Sequence, residues 1–504
     1  MMKRRDFIKT ALVSSAGIGV MLKGIPSCAR GIPASAFTGR AGVRCYAGAP
    51  GGVILTSLSD FFKIGPGPSS SHTIAPLRIA ADFRETMEKL SRESLSRAKR
   101  IRARLYGSLS STGKGHRTDR AIIAGLLGQK PETCDTGLME ALADETKTYT
   151  TTIGGVDFTI GHSTIVWDKV EHAFPFVNTL VMELIDEKTD AEVFSREYYS
   201  TGGGFFQWKG QKPEVRGEPL FPYGSMTAFR RLAAAQGKRL HEIILENDMA
   251  VMGVDEGKIR EHLDLVLETM DKGVQQGLRE EGLLPGPFEF HRKARRIHEQ
   301  AMKRGGGDNF MGLLSSYALA VSEGNAAGRL AVTAPTLGSA GTIPAVAYVM
   351  KHHLKCSRET MRKGLLAAAL VGLLCKNNAS VAGAEVGCQG EIGVASSMAA
   401  AMITYARTAS LEATEVAATI ALEHHLGMSC DPVGGFVLIP CIERNAFGAV
   451  KAYNAYLMAT SEITSQHWED LDRVIAAMLE TGRALPQAYR EMGTGGLGVT
   501  MVDC

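Results

Sequence analysis

From residue 226 to residue 500 the chain carries almost nothing but helical periodicity, and that fixes the class of fold open to it. Amphipathic stretches around 227–252, 256–281 and 290–303 give way to smaller, Ala-rich ones. The stretches 362–375 and 393–408 hold so few charges that they predict helices buried on most sides. Neither reaches the roughly 20 apolar residues a membrane span takes. Residues 57–206 read differently. Ile101-Arg102-Ala103-Arg104-Leu105-Tyr106 alternates as a half-buried strand does, and Tyr149 to Ile160 and Val177 to Ile185 are further β-rich runs. Pro76 to Arg97 has a mixed charged and apolar helical character. Gly202-Gly203-Gly204 closes this region, and a Gly- and Pro-rich loop (209–224) separates it from the helical part. The expected class is therefore α+β, with a small mixed α/β N-terminal domain over 57–206 and a larger all-helical domain over 226–504.

The first 40 residues predict targeting rather than fold. Arg4-Arg5-Asp6-Phe7-Ile8-Lys9 precedes a weakly apolar run from Ala11 to Leu22, and Ala34-Ser35-Ala36 offers an A-x-A cleavage site. The paired arginines are similar to a twin-arginine export signal, which implies a periplasmic protein. An organellar transit peptide, or a cytoplasmic protein with a mis-assigned start, fits the same Arg- and Ser-rich stretch. Formal net charge is only +3. Residues 1–56 hold eight Lys/Arg and one acid, so the body is slightly acidic. Nucleic-acid binding needs clustered positive charge, so no nucleic-acid partner is expected.

Nine cysteines in 504 residues are too few and too widely spaced for a disulfide scaffold. A cysteine in an apolar helical segment is ordinarily a small buried hydrophobe. Cys388, Cys430 and Cys441 differ because each sits among glycines and prolines that break regular structure, as in Gly383-Ala-Glu-Val-Gly-Cys388-Gln-Gly-Glu391. Such breaks expose backbone N–H groups, and hydrogen bonds to sulfur tune iron–sulfur clusters. Their spacings of 42 and 11 match no general ligand pattern. The run Gly107 to Gly115 is not a phosphate cradle, because a Walker A loop has four residues before its Gly-Lys and here five intervene.

These segments resemble the cluster-binding motifs of bacterial iron–sulfur L-serine dehydratases. The resemblance is carried by Lys63-Ile-Gly-Pro-Gly-Pro-Ser-Ser-Ser-His-Thr73 and by Gly107-Ser-Leu-Ser-Ser-Thr-Gly-Lys-Gly-His-Arg-Thr-Asp119. It continues through Asn325-Ala-Ala-Gly-Arg, Val332-Thr-Ala-Pro-Thr-Leu-Gly-Ser-Ala-Gly-Thr-Ile-Pro-Ala345 and Cys430 to Tyr453, in order from about Ser57 to the C-terminus. It implies a 4Fe–4S cluster on Cys388, Cys430 and Cys441 with one iron left open, L-serine as substrate and a homodimer; no Ser-x-Lys-x-Arg-Gly-like lysine motif is present, so no pyridoxal phosphate is expected. It also implies that the C-terminal Cys504 can reach back to the open iron. A catalytic metal needs such an open position.

Removing water from serine requires loss of a poor leaving group and of a weakly acidic α-proton. A Lewis-acidic iron addresses the first and a positioned base the second. His72 is the candidate base, since it follows a rigid Gly-Pro-Gly-Pro turn in a motif the family places at the active site. Ser69, Ser70, Ser71 and Thr73 offer hydroxyls for the substrate carboxylate, although loop or N-cap use is their ordinary role. Lys114 and His116 are candidates to supply positive charge, and Thr336 and Gly338 to contact substrate. His424 and His425 are expected to support the site by hydrogen bonds rather than to ligate iron. Leu337 and Phe176-Val177-Asn178 depart from the family's Pro-Thr-Asn-Gly and His-Pro-Asn. Threonine or cysteine as substrate therefore stays open, as does a cluster-bearing redox sensor.

Overall fold

The computed structural model describes residues 52–186, 188–212 and 216–501, so the targeting segment and Cys504 lie outside the described residues. The alternation at Ile101 becomes strand β1 (Ala98–Leu105) of a five-stranded sheet. The others are β2 (Ile165–Trp167), β3 (Thr179–Asp186), β4 (Glu192–Ser200) and β5 (Phe206–Trp208), in the order β2-β1-β3-β4-β5. Only β2 runs parallel to its neighbour. The register sets Ile101 opposite Leu184, Ala103 opposite Met182 and Leu105 opposite Leu180, and all six are buried. The period of two sends Arg102 and Arg104 to the other face, where both donate to Glu183. Helices α1 (Ala75–Met87) and α2 (Thr118–Leu126) bring Leu77, Phe83, Ile122 and Leu126 into the same apolar core. The run from Tyr149 to Ile160 is a hairpin, Thr148–Ile153 with Val156–Gly161, and its Ile153, Phe158 and Ile160 join that core.

The second half folds around buried helices, as its low charge predicts. These are α3 (Gly306–Ala326), α4 (Arg358–Asn378), α5 (Ile392–Thr408), α6 (Leu411–Glu423) and α7 (Cys441–Ala459). Every residue of α5 from Ile392 to Tyr405 is buried. Its Ala-rich sequence lets neighbouring helices approach closely, and its two serine hydroxyls are satisfied across the contacts. Ser396 Oγ donates to Gly448 O (2.8 Å) and Ser397 Oγ to Ala418 O (2.7 Å). Among the described residues, no single helix is long and apolar enough to cross a membrane.

Two features depart from the expected division. The helical half is not wholly helical, because Leu330–Val332 pairs antiparallel with Ile64–Pro66. Leu58, Phe61 and Phe62 also bury in the helical core rather than in the sheet's. No local period announces either, because both arise from which apolar surface is left uncovered at long range. The sheet also continues past the three glycines into β5.

The contact at Leu58 carries a pH dependence. Its N–H donates to Asp248 Oδ1 at 2.8 Å. Burial pushes the Asp248 carboxyl up to about 6, with the Leu58 N–H opposing and Asp60 assisting. A carboxyl raised above its ordinary value contributes stability at low pH, and that contribution is lost as pH rises through about 6. Asp248→Asn keeps the acceptor and removes the charge. In urea titrations the variant is expected to gain about 1 kcal/mol on the wild type between pH 5 and pH 8; parallel curves would place Asp248 in water.

Candidate functional site

The Gly-Pro-Gly-Pro-Ser-Ser-Ser-His segment enters α1 through a single π-helical turn, Ser70–Ile74, a geometry frequent at functional sites. Ser69 caps it, accepting from His72 N–H at 3.2 Å. The segment is pinned across the molecule at Gly67, where a Cβ would lie 1.9 Å from Asn325 O. Asn325 Nδ2 donates to Pro68 O (2.9 Å) and to Leu337 O (3.0 Å), so three of the sequence motifs meet there. Likewise a Cβ on Gly115 would lie 2.4 Å from Gly435 O, which seats the Gly107–Asp119 motif against the Cys430 loop.

His72 is fully buried, and its hydrogen bonds assign its tautomer. Nε2 lies 3.1 Å from both Ser108 Oγ and Thr112 Oγ1. Ser108 spends its one hydroxyl proton on Glu491 O (2.6 Å) and Thr112 spends its own on Ser108 O (2.9 Å). Both oxygens therefore accept from Nε2–H, and Nδ1 is the basic nitrogen. Nδ1 faces Ser71 Oγ at 2.8 Å and Glu491 Oε1 at 3.5 Å, and Ser71 Oγ lies 3.2 Å from the same carboxylate oxygen. Burial pulls His72 down to about 4. Burial, with His72 beside it, pulls His116 down to about 3, so both rings are neutral near pH 7.

Cys388, Cys430 and Cys441 are buried. Cys388 and Cys430 each place Sγ 3.9 Å from Glu391 Oε2, and the three atoms lie within 4.8 Å of one another. Cys441 heads α7, and its sulfur stands outside that group. Burial, then the charge of Cys388, pushes the Cys441 thiol up, while the hydrogen bond that the Cys430 thiol makes with Cys388, then burial, holds Cys430 well above its usual range. One turn along α7, Arg444 donates to Ser429 O (2.7 Å). Burial works against its charge, but Cys388, Cys441 and Asp431 more than offset this. The Cys388 and Cys430 sulfurs with the Glu391 carboxylate form a set that can hold a thiophilic metal, with Arg444 balancing the negative charge left on deprotonation.

Two carboxyls that are not among the sequence-based candidates connect these halves. Glu391 accepts from Thr336 Oγ1 at 2.7 Å, and burial, then the charge of Glu491, pushes it up to about 8. Glu491 is raised by burial to about 7, against Ser71 and Asn178. Glu391 closes the Cys388 motif, so its sequence position already placed it beside a candidate ligand. Glu491 carries no local signal beyond the glycines that come after it. A cleft of ≈ 900 Å³, lined by Thr112, His172, Val177, Gly435, Met492 and Gly493 among others, runs up to this region.

The remaining candidates divide. Thr336 and Gly338 flank Glu391; a Cβ on Gly338 would lie 2.9 Å from its carboxylate. Ser70 is buried in the π-turn. Ser69 and Thr73 are committed to the loop itself, Thr73 Oγ1 donating to His116 O (2.8 Å). Burial disfavours a positive charge on His116, and Lys114 is 64% exposed and pairs with Glu145 at 3.3 Å. His424 and His425 point Nδ1 at carbonyls of their own helix end, Ile420 O and Ala421 O.

Comparison with known proteins accounts for most of the chain. A family model described as serine dehydratase beta chain matches residues 57–211, and one described as serine dehydratase alpha chain matches residues 235–498. The chain is 39% identical over 464 residues to L-serine dehydratase 2 of Escherichia coli strain K12, covering 89% of this chain and 100% of that protein. It is 40% identical over 463 residues to L-serine dehydratase of Streptomyces coelicolor, covering 89% and 99%. With L-serine dehydratase of Helicobacter pylori it shares 35% over 473 residues, covering 88% and 99%. The chain belongs to the serine dehydratase family of enzymes, with its beta-chain and alpha-chain parts joined in one polypeptide.

Proposed function

We propose that this enzyme deaminates L-serine to pyruvate and ammonia, using an iron–sulfur cluster held by Cys388, Cys430 and Cys441. The observation that carries the reading is the convergence of the buried Cys388 and Cys430 sulfurs on Glu391, with buried Cys441 at the head of α7 and a buried histidine meeting Glu491. The chemistry a bound 4Fe–4S cluster supplies is Lewis acidity at the departing hydroxyl, worth several kcal/mol. The chain's own residues supply the rest. His72 Nδ1 takes the α-proton, the C–H electron pair becomes the Cα=Cβ bond, and the hydroxyl leaves Cβ. The released 2-aminoacrylate tautomerises to an imine, which water hydrolyses to pyruvate and ammonia.

His72 suits this role because burial keeps its imidazole unprotonated at neutral pH. The imidazolium formed on proton transfer is compensated by the Glu491 carboxylate at 3.5 Å, with Ser71 bridging the two. Ser70 and the turn from Thr336 to Gly338 are the proposed substrate contacts, and serine enters by the cleft at Thr112 and Met492. Cys504 is the proposed fourth thiol, displaced by substrate. We further propose a homodimer, exported to the periplasm on the strength of Arg4-Arg5 and Ala34-Ser35-Ala36.

Anaerobically purified protein is expected to contain iron and sulfide and to form pyruvate from L-serine faster than from L-threonine or L-cysteine. No pyruvate from fully iron-loaded protein overturns the assignment. Replacing Cys388, Cys430 or Cys441 by Ser should strip iron and activity together, whereas Cys504→Ala should keep the iron and change apparent serine affinity. His72→Ala should lower kcat by about 10²–10⁴-fold with iron content unchanged, and Glu491→Gln should lower kcat more than it changes KM. Iron loss in His72→Ala would make that residue structural. Fractionation of expressing cells should recover a shortened chain from the periplasm; an unprocessed cytoplasmic chain refutes export.

A further inference from the structure

At the start of α2, next to the loop that carries His116, lies a second group of ligand-type side chains. His162 Nε2 lies 2.9 Å from Leu142 O, which can only accept, so Nε2 carries a proton. The other ring nitrogen, Nδ1, faces Asp119 Oδ2 at 3.3 Å. Glu145 completes the group: a carboxylate oxygen from each acid and His162 Nδ1 all lie within 4.8 Å of one another. A ring nitrogen whose partner N–H donates to a backbone carbonyl is the arrangement metal-ligating histidines adopt. Asp119 is held ready as well, because its Oδ1 accepts from Arg120 N–H at 2.9 Å. Asp119 and His162 are 7% and 14% exposed and Glu145 is 60% exposed, so the group is anchored on one side and open to entry on the other.

We propose that Asp119, Glu145 and His162 form a divalent-cation site, separate from the cysteine pocket and independent of the dehydratase reading. Two carboxylates match a charge of +2. One imidazole nitrogen with two oxygens suits manganese or zinc, not the soft ions that thiolates select. Two cations stand beside the site: Arg120, whose charge acts on Asp119, and Lys114, whose ammonium sits 3.3 Å from Glu145 and competes with the ion for that carboxylate. Thr118, adjacent to Asp119, donates to His72 O at 2.7 Å. An ion here would brace the segment that carries His116 against the His72 turn.

The probe is Mn²⁺, which binds thiolates weakly, titrated into the anaerobic full-length protein while the six-line resonance of the free ion is monitored. One equivalent is expected to bind. Asp119→Asn and His162→Gln should each weaken binding at least about tenfold. Glu145→Gln should weaken it severalfold, and Lys114→Ala should tighten it about twofold by removing the competing ammonium. Glu145 and Lys114 are exposed, so these two variants report even where a buried substitution misfolds. Absence of stoichiometric binding, or an affinity indifferent to both, overturns the proposal and leaves His162 as a structural partner of Asp119. Loss of the bound ion in Cys441→Ser alone would assign it to the cysteine pocket and equally sink the idea.

Discussion

Two backbone hydrogen bonds decide where the acids and sulfurs of this protein meet: Cys430 N–H on Tyr489 O and Glu491 N–H on Cys430 O, each 2.7 Å. They strap the segment around residue 490 to the loop that carries a buried thiol. Glu491 adopts a left-handed backbone there, with φ of 61°, unusual for a residue other than glycine. Strain of this kind persists only where the surroundings over-determine it. Here they do, since the Glu491 carbonyl accepts from Ser108 Oγ and its carboxylate meets Ser71 and His72. One residue thus touches both the sulfur side and the histidine side of the pocket.

The strap works because the sheet-bearing and helical parts fit closely at the backbone. At Gly67 and Gly115 no side chain beyond hydrogen is tolerated, as the carbonyls of Asn325 and Gly435 occupy the space a Cβ would take. Backbone-to-backbone contacts of this kind set positions more rigidly than long side chains do, because few torsions lie between the fixed points. The ladder of Ile64–Pro66 with Leu330–Val332 adds a second tie between the same parts. The His72 turn and the Asn325 motif are therefore held in register although they lie far apart in sequence.

The site's electrostatics come from burial. His72 and His116 lose their positive charge and the Glu391 and Glu491 carboxyls resist ionisation, for the same reason: a low-dielectric interior penalises the charged form of each. Arg444 is the exception, and it keeps its charge because the sulfurs and Asp431 surround it. A pocket with neutral bases, poised acids and one fixed cation responds strongly to any charge that develops within it.

By itself the sequence determined the two-part α+β plan, through the period of two at Ile101 to Leu105 and the low charge of 362–375 and 393–408. It also marked His72 and the three cysteines, because each lies in a run of residues that breaks regular structure. What it could not contain was the partnership between them. Glu491 sits in no pattern that distinguishes it from a surface acid, and its role comes from a strap to Cys430 some 60 residues earlier in the chain. Lys114 and His116 lie two residues apart in one motif, yet one is exposed on Glu145 and the other is buried against His72. Local pattern reports which face of an element is apolar. Which buried groups then share a low-dielectric pocket, and so which are neutral and which are charged, is set by contacts between distant segments, and those exist only in the tertiary structure.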